Sequence, residues 1–228
     1  GNLIENGAFY ISSISAIINT KNRLSGKIGV YQMPSYTSIE IDELEDWIIA
    51  ERLFMRYNIT SLDLDVKKIK IFLSDIDGVL TDSGMYYSEN GVFMKSFSTY
   101  DGMGSHLLLK NNFIIAMITS EYENLEILYK RAKKLNIKEV YTHEKNKLKR
   151  IQYLITKYDL NKNNIAYIGD DLNDLEALKH VGLSAAPAKT PILNYYKPDF
   201  ITKNTSGNGA FRDLAELIFK AQKIDLDF

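Results

Sequence analysis

An apolar run that ends in two acids and a glycine constrains the fold of this chain most strongly. Residues 71–75 read Ile-Phe-Leu-Ser-Asp and Ile-Asp-Gly follows, so that Asp75 and Asp77 stand one residue apart. Alternation places both side chains on one side of an extended chain, and Gly78 lets the backbone turn away at once. Two anions so close repel each other unless a cation lies between them, and a hard, oxygen-binding ion such as Mg2+ suits them.

A second apolar run ends in the same way farther along the chain. Residues 165–168 read Ile-Ala-Tyr-Ile, and Asp170, Asp171 and Asp174 follow within one helical turn of each other. Open parallel sheets bind ligands at the carboxyl ends of their strands, so two such runs predict one acidic site. Asp171 and Asn173 have a simpler alternative interpretation, because either can cap the helix that begins near residue 172.

Two further polar segments lie between the acid clusters. Residues 113–118 form a short apolar run that leads into the hydroxyl pair Thr119 and Ser120. Residues 145–158 have the apolar periodicity of an amphipathic helix, and Lys147 lies at its start. The neighbouring lysines compete for the same role, and only the register before the apolar face favours Lys147. Strands that alternate with helices in this way predict an α/β fold, a Rossmann-like parallel sheet with helices on both faces.

Acid pair, hydroxyl, lysine and second acid cluster, in this order, resemble the four motifs of the haloacid dehalogenase superfamily. The resemblance covers roughly residues 66 to 222. It implies that Asp75 attacks phosphorus and becomes an aspartyl phosphate, while Asp77 exchanges protons with the leaving group and with water. It also implies a Mg2+ ion held by the Asp75 carboxylate, the Asp77 backbone carbonyl and Asp170.

The same resemblance implies roles for the remaining polar residues. Thr119 and Ser120 are expected to bind the phosphoryl group through hydroxyls, and Lys147 through its charge. Asp174 is expected to support the site by holding a metal-bound water or Lys147, with Asp171 a weaker candidate beside it. The three histidines, His106, His143 and His180, have no ligand spacing and are interpreted as structural or solvent-facing.

The segment between the acid pair and Thr119 is too short for a large lid domain. In its place residues 84–97 predict a β-hairpin with Asn90-Gly91 as its tight turn, and its apolar side chains need a partner to cover them. This resembles the capless phosphatases of 3-deoxy-octulosonate 8-phosphate and nonulosonate 9-phosphate, which are tetramers. The octulosonate enzymes usually have arginine where Tyr100 and Glu121 stand. Glu121 is therefore expected to bind sugar hydroxyls or an amine.

Residues 1–60 predict a separate small unit, and residues 61–228 the phosphatase domain. The first unit is interpreted as strand 7–11, helix 13–19, strand 27–33 and helix 43–56, an α+β segment too small for a core of its own. It resembles the carboxyl-terminal end of acylneuraminate cytidylyltransferases, in which an acidic pair matching Glu40 and Asp42 helps to hold Mg2+. We expect it to be a remnant of that enzyme, unable to transfer a nucleotide alone. A generic helix that dimerises is the alternative interpretation.

Composition excludes several classes of function. A net charge of -1 argues against a nucleic-acid surface, and the absence of cysteine excludes a disulfide framework and thiol catalysis. No apolar run approaches the length of about 20 residues that spans a membrane, and the amino-terminal residues lack the form of a secretion signal, so a cytoplasmic location is expected.

The sequence thus predicts a Mg2+-dependent homotetrameric phosphatase acting on a small-molecule sugar phosphate, a nonulosonate 9-phosphate such as that of N-acylneuraminate or KDN. A 3-deoxy-octulosonate 8-phosphate phosphatase is the alternative. Two other classes are weighed against it, an inactive oligomerisation module of a CMP-sialic acid synthetase and a receiver-type phosphate acceptor. The intact acids Asp75, Asp77, Asp170 and Asp174 argue against the first, and the acid-glycine turn argues against the second.

Overall fold

The computed structural model describes residues 7–57, 66, 68–123 and 125–226. The chain divides into two compact units, Gly1–Thr60 and Ser61–Phe228. None of the helices in the described ranges combines the length and the hydropathy needed to cross a lipid bilayer.

In its described part, residues 7–57, the first unit contains two α-helices and a short 3-10 helix, Ser35–Thr37. Helix α1 spans Ile14–Thr20, and the hydroxyl of Ser13 caps it by accepting the backbone N–H of Ala16. Helix α2 spans Leu44–Tyr57. Both helices lie within about a residue of the bounds that periodicity and capping predict, because these signals are local to the helix itself.

The two strands predicted for the first unit are wrong. Residues 7–11 and 27–33 have the apolar, β-branched sequence of strands, but in the described part of the chain neither belongs to a sheet. A strand needs a hydrogen-bonded neighbour, and local composition says nothing about whether one is present. Ile11 is 90% exposed and Val30 is 73% exposed. Neither segment is therefore buried as a sheet strand would be.

The second unit contains the remaining strands and helices. Its strands are β1 (Ile71–Asp75), β2 (Tyr86–Ser88), β3 (Gly91–Met94), β4 (Ile114–Ile118), β5 (Glu139–Tyr141), β6 (Ile165–Ile168), β7 (Leu183–Ala188) and β8 (Phe200–Thr205). Its helices are α3 (Thr99–Lys110), α4 (Glu126–Lys134), α5 (Lys147–Lys157), α6 (Leu175–His180) and α7 (Ala210–Gln222). Six strands form one parallel sheet in the order β5-β4-β1-β6-β7-β8. The predicted α/β class is confirmed.

Alternating side chains of the sheet pack into two apolar clusters, one on each face. Phe72 of β1 packs with α3, α4 and α7, whereas Ile71 and Leu73 pack with α5 and α6. All five residues of β1 are buried, as expected for a parallel strand covered by helices on both sides. Polar groups of this strand can therefore act only where it ends.

The predicted hairpin is present, but its turn is displaced by one residue. Strands β2 and β3 pair antiparallel with Ser88 opposite Gly91, so Glu89 and Asn90 form the turn. Cross-strand pairing decides the register, and here it places the glycine in the strand rather than in the turn. Tyr86 and Tyr87 of β2 are 51% and 68% exposed. The apolar surface of the hairpin is thus uncovered within a single chain.

We expect this hairpin to mediate self-association. Tyr87→Glu places a charge on the exposed apolar surface, and burial of a charge in an interface is strongly unfavourable, so the oligomer should dissociate. Light scattering of the purified protein measures the change in mass. Tyr195→Glu is the matched control, because Tyr195 is 65% exposed but lies away from the hairpin in sequence. A wild-type protein that is monomeric by this measurement would contradict the expectation.

Candidate active site

Three neighbouring strands bring the predicted site residues to one edge of the sheet. Strand β1 lies between β4 and β6, and all three run in the same direction. Asp75 ends β1, Thr119 follows β4, and Asp170 follows β6 after one glycine. Residues far apart in sequence therefore meet, because the carboxyl ends of parallel strands share one edge.

The turn after β1 aims the Asp75 carboxylate into the site. Asp75 is buried, and its Oδ1 accepts the backbone N–H of Ile76 at 2.7 Å. Gly78 has a φ of +86°, and a Cβ there would overlap the Asp170 carboxylate. A glycine is thus needed both for the backbone conformation and for the close approach of the second acid.

Lys147 is the buried cation of the site. Its ammonium lies 2.7 Å from Asp75 Oδ2 and 2.5 Å from Asp174 Oδ1, and only 1% of the side chain is exposed. Lys145 and Lys149, its competitors in the sequence, are both exposed. Burial lowers the pKa of Lys147, but the two carboxylates outweigh it and hold the pKa above its ordinary value. The lysine is therefore charged.

Asp174 is a second fully buried acid, held by four donors. Its Oδ1 accepts from the Lys147 ammonium and from the Tyr167 hydroxyl, each at 2.5 Å. Its Oδ2 accepts the backbone N–H groups of Asp170 and Asp171 at 2.9 and 3.3 Å. Tyr167 was not predicted as a site residue, since within the apolar run of β6 it has the pattern of a core aromatic.

The side chains of Asp75, Asp170 and Asp174 form a site whose donors fit Mg2+. One carboxylate oxygen from each lies within 4.8 Å of the others. Burial, followed by repulsion from Asp174, raises the pKa of Asp75 well above its ordinary value and that of Asp170 to about 7. A divalent cation relieves this repulsion, and oxygen ligands are those that Mg2+ prefers.

The cluster contains the two side chains that the sequence predicts as metal ligands, Asp75 and Asp170, together with that of Asp174. The sequence predicts Asp174 in support, holding a metal-bound water or Lys147, and its carboxylate does lie 2.5 Å from the Lys147 ammonium. The third predicted ligand, the backbone carbonyl of Asp77, stays a prediction. The Asp77 carboxylate lies outside the cluster and contacts other groups. Sequence spacing does not show that the Asp174 carboxylate lies near that of Asp75, because this proximity depends on how the turn after β6 folds.

A lysine that the motifs do not include holds the Asp77 carboxylate. The Lys95 ammonium lies 2.8 Å from both oxygens of Asp77, and the Thr81 hydroxyl donates to Asp77 Oδ1 at 3.2 Å. Lys95 follows β3 directly, so the hairpin delivers it to the site. In the sequence it is one lysine in a predicted surface hairpin and carries no signal of burial.

Three predicted binding residues, Thr119, Ser120 and Glu121, follow β4 and differ in their exposure to solvent. Thr119 is buried, and its Oγ1 accepts the backbone N–H of Glu121 at 3.0 Å. Ser120 is exposed. Burial raises the pKa of Glu121, but the backbone N–H groups of Glu123 and Tyr122 and the Lys95 ammonium outweigh it, so that the pKa lies below its ordinary value. Glu121 is thus a carboxylate at the rim of the site.

Asp171 acts as a helix cap and lies outside the carboxylate cluster. Its side chain accepts the backbone N–H of Leu172 at 2.7 Å and caps the short 3-10 turn Leu172–Asp174. The capping interpretation made for it from sequence agrees with these contacts. His106 and His143 are exposed, and His180 ends α6.

A cavity of about 630 Å³ lies in the first unit, well separated in sequence from these acids. Aromatic and aliphatic side chains line it, and the Arg23 guanidinium stacks on the Tyr10 ring at 4.1 Å. No carboxylate is among its described lining residues. The described lining thus offers neither a metal ligand nor an acid for catalysis, in contrast to the carboxylate cluster of the second unit.

The chain has relatives among known proteins, both by sequence and by structure. A family model described as haloacid dehalogenase-like hydrolase matches residues 93–212. The 3-deoxy-D-manno-octulosonate 8-phosphate phosphatase of Escherichia coli K12 is 34% identical over 172 residues, which cover 74% of this chain and 90% of that enzyme. The crystal structure of the Moraxella catarrhalis enzyme of the same name, in complex with magnesium, phosphate and KDO, is 34% identical with a TM-score of 0.68. The match covers 72% of this chain and 94% of that one.

A third relative matches both units. N-acylneuraminate cytidylyltransferase B of Danio rerio is 28% identical over 225 residues, which are 98% of this chain. The chain spans 52% of the length of that relative, about half.

We expect Asp174 to support Mg2+ binding by the carboxylate cluster, because it holds Lys147 and the backbone N–H of Asp170. Asp174→Asn removes one of three charges, so the Mg2+ dissociation constant should rise by about 10- to 100-fold, measured by isothermal titration calorimetry. Asp171→Asn is the matched control, since it makes the same change of charge three residues away at an exposed cap. An equal loss in both variants would show that net charge, rather than ligation, governs affinity. Thermal melts establish that each variant is folded.

Proposed function

The chain belongs to the haloacid dehalogenase-like hydrolases, and on that premise we propose that Asp75 is the nucleophile of a phosphatase for acidic sugar phosphates. The family and its sugar phosphatase relatives make the chain a phosphoric monoester hydrolase with Mg2+ as cofactor. The observation that carries the proposed role of Asp75 is its geometry. It is buried beside Lys147 at the edge of the sheet, with one oxygen held by Lys147 and the other by a backbone N–H.

The proposed reaction has two steps that the side chains divide between them. An oxygen of Asp75 attacks phosphorus, the ester P–O bond breaks, and Asp77 gives its proton to the departing sugar oxygen. Asp77 then takes a proton from water, the water oxygen attacks the aspartyl phosphate, and phosphate leaves Asp75. Thr119 and Lys147 hold the transferred phosphoryl group in both steps. Bound Mg2+ neutralises charge on the phosphoryl oxygens.

The first candidate substrate is 3-deoxy-D-manno-octulosonate 8-phosphate. The Escherichia coli and Moraxella catarrhalis enzymes named for this substrate are each 34% identical to the chain, over 74% and 72% of its length. The comparisons thus favour this substrate over the nine-carbon sugar that the sequence analysis put first.

A nonulosonate 9-phosphate is the second candidate, and two observations favour it. Glu121 presents a carboxylate at the rim of the site, where it can accept hydrogen bonds from hydroxyls or an amine. The match to N-acylneuraminate cytidylyltransferase B extends along both units of the chain. Both candidates are acidic sugars with a terminal phosphate, so they share the reaction and differ in the contacts of the sugar.

The first unit is proposed to be the carboxyl-terminal part of an acylneuraminate cytidylyltransferase. Support comes from the relative in Danio rerio. Glu40 and Asp42, the acidic pair of the resemblance, are both exposed. The second unit is proposed to assemble as a homotetramer through its hairpin, for which the exposed Tyr86 and Tyr87 give support.

The proposed reaction predicts a specific pattern of loss. Asp75→Asn should abolish turnover, because an amide is not a nucleophile here, and rates should fall by at least about a thousandfold. Phosphate release from a panel of sugar phosphates, with 3-deoxy-octulosonate 8-phosphate and nonulosonate 9-phosphates among them, measures it. Asp82→Asn, at an exposed acid seven residues on, is the control. Stoichiometric retention of one phosphate without turnover in the wild type would indicate a phosphate acceptor instead.

Substrate choice should depend on Glu121. Glu121→Gln keeps an acceptor for the N–H groups of Tyr122 and Glu123 but removes the charge. If Glu121 binds the sugar, kcat/KM for the nine-carbon substrate should fall by about 10- to 100-fold, while that for a small alkyl phosphate, which has the same kind of leaving group but no sugar, stays nearly constant. Glu123→Gln is the matched control on the exposed neighbour. Equal loss on both substrates would mean that Glu121 only supports the loop that carries Thr119.

A further inference from the structure

Lys95 is a buried cation that the proposed reaction does not use. Its side chain is 3% exposed, although it lies directly after the exposed hairpin strand β3. A lysine is rarely buried unless its charge is paired. The partners of the Lys95 ammonium therefore indicate why a charge is buried at this position.

The Lys95 ammonium connects two loops of the site. It lies 2.8 Å from each oxygen of Asp77, in the loop after β1, and 3.5 Å from Glu121 Oε2, in the loop after β4. The other oxygen of Glu121, Oε1, accepts two backbone N–H groups, which leaves Oε2 directed at the lysine. Glu121 thus holds the lysine, and the lysine holds Asp77.

This arrangement fixes the orientation of the Asp77 carboxylate. A general acid must hold one oxygen within hydrogen-bond reach of the leaving oxygen, which requires a defined side-chain rotamer. Lys95 contacts both oxygens, and the Thr81 hydroxyl restrains Oδ1 as well. Among the described residues, loss of Lys95 would leave the Asp77 carboxylate with the longer contact from Thr81 at 3.2 Å.

The charge of Lys95 is already paired by two protein carboxylates, those of Asp77 and Glu121. The Asp77 side chain is 23% exposed and the Lys95 side chain 3%, so Asp77 is the more accessible member of this pair. The lysine acts through the acid.

We propose that Lys95 is the positioning residue that holds Asp77 for proton transfer to the leaving group and links it to the substrate-facing Glu121. The inference rests on the proposed function, because it assumes that Asp77 is the acid. It predicts that the importance of Lys95 depends on how much the leaving group needs a proton.

Comparison of leaving groups tests this directly. The ratio kcat/KM reports the steps up to the aspartyl phosphate, so it is independent of the later hydrolysis. Lys95→Met should lower kcat/KM by about 100-fold for an alkyl phosphate, whose alkoxide needs a proton, yet by less than about threefold for p-nitrophenyl phosphate. Lys95→Arg keeps the positive charge and can donate to both oxygens of Asp77, so it should recover most of the loss. KM for the alkyl phosphate should change little.

A double-variant cycle separates positioning from folding. The double variant Lys95→Met with Asp77→Asn removes both charges and leaves no unpaired carboxylate at position 77. If Lys95 acts only through Asp77, the double variant should turn over no more slowly than Asp77→Asn alone. Equal loss on alkyl and p-nitrophenyl phosphates, or additive losses in the double variant, would overturn the inference. A wild type that cleaves both simple esters but neither candidate sugar phosphate would refute the proposed substrate and leave the Lys95 comparison decisive. A wild type inactive on every ester would refute both proposals.

Discussion

The contact of one buried ammonium with two buried carboxylates is the interaction on which the site depends. Lys147 lies between Asp75 and Asp174, and all three side chains are almost completely removed from solvent. Burial of charges is costly unless each is paired, so removal of any one of them would leave the others unfavourable. With Asp170 nearby, the group still has an excess of negative charge. That excess gives the cluster its affinity for a divalent cation and connects the stability of the site with its chemistry.

The parallel sheet makes such a concentration of charge possible. Its central strand is buried on both faces, with Phe72 packed toward one set of helices and Ile71 and Leu73 toward the other. The acids of the site lie at the carboxyl ends of the strands, where backbone N–H groups such as those of Ile76 and Asp170 are available as donors. The apolar core supplies the stability that offsets the repulsion among the acids, and the edge of the sheet sets the distances among them.

Two lysines divide the acidic site into two parts. Lys147 holds the proposed nucleophile, Asp75, whereas Lys95 holds Asp77 on the side of the leaving group. Both are buried, and each bridges segments that are distant in sequence. Asp75 and Asp77 are only two residues apart, and a single lysine that contacted both would give them similar environments. Separate partners allow two neighbouring carboxylates to perform different tasks.

Sequence by itself determined the α/β class, because the class depends on local periodicity. It also singled out Asp75, Asp77, Asp170, Asp174 and Lys147 as candidates, and the fold brings Asp75, Asp170, Asp174 and Lys147 together. Capping by Asp171 could also be predicted, because it depends only on neighbouring residues in the sequence. Only the tertiary structure decided that the Asp174 carboxylate lies beside those of Asp75 and Asp170, that the Tyr167 hydroxyl donates to it and that Lys95 holds Asp77. It also decided that residues 7–11 and 27–33 are not strands. Each of these depends on which distant segment lies alongside, since burial and hydrogen-bond partners are properties of the folded chain and not of local sequence.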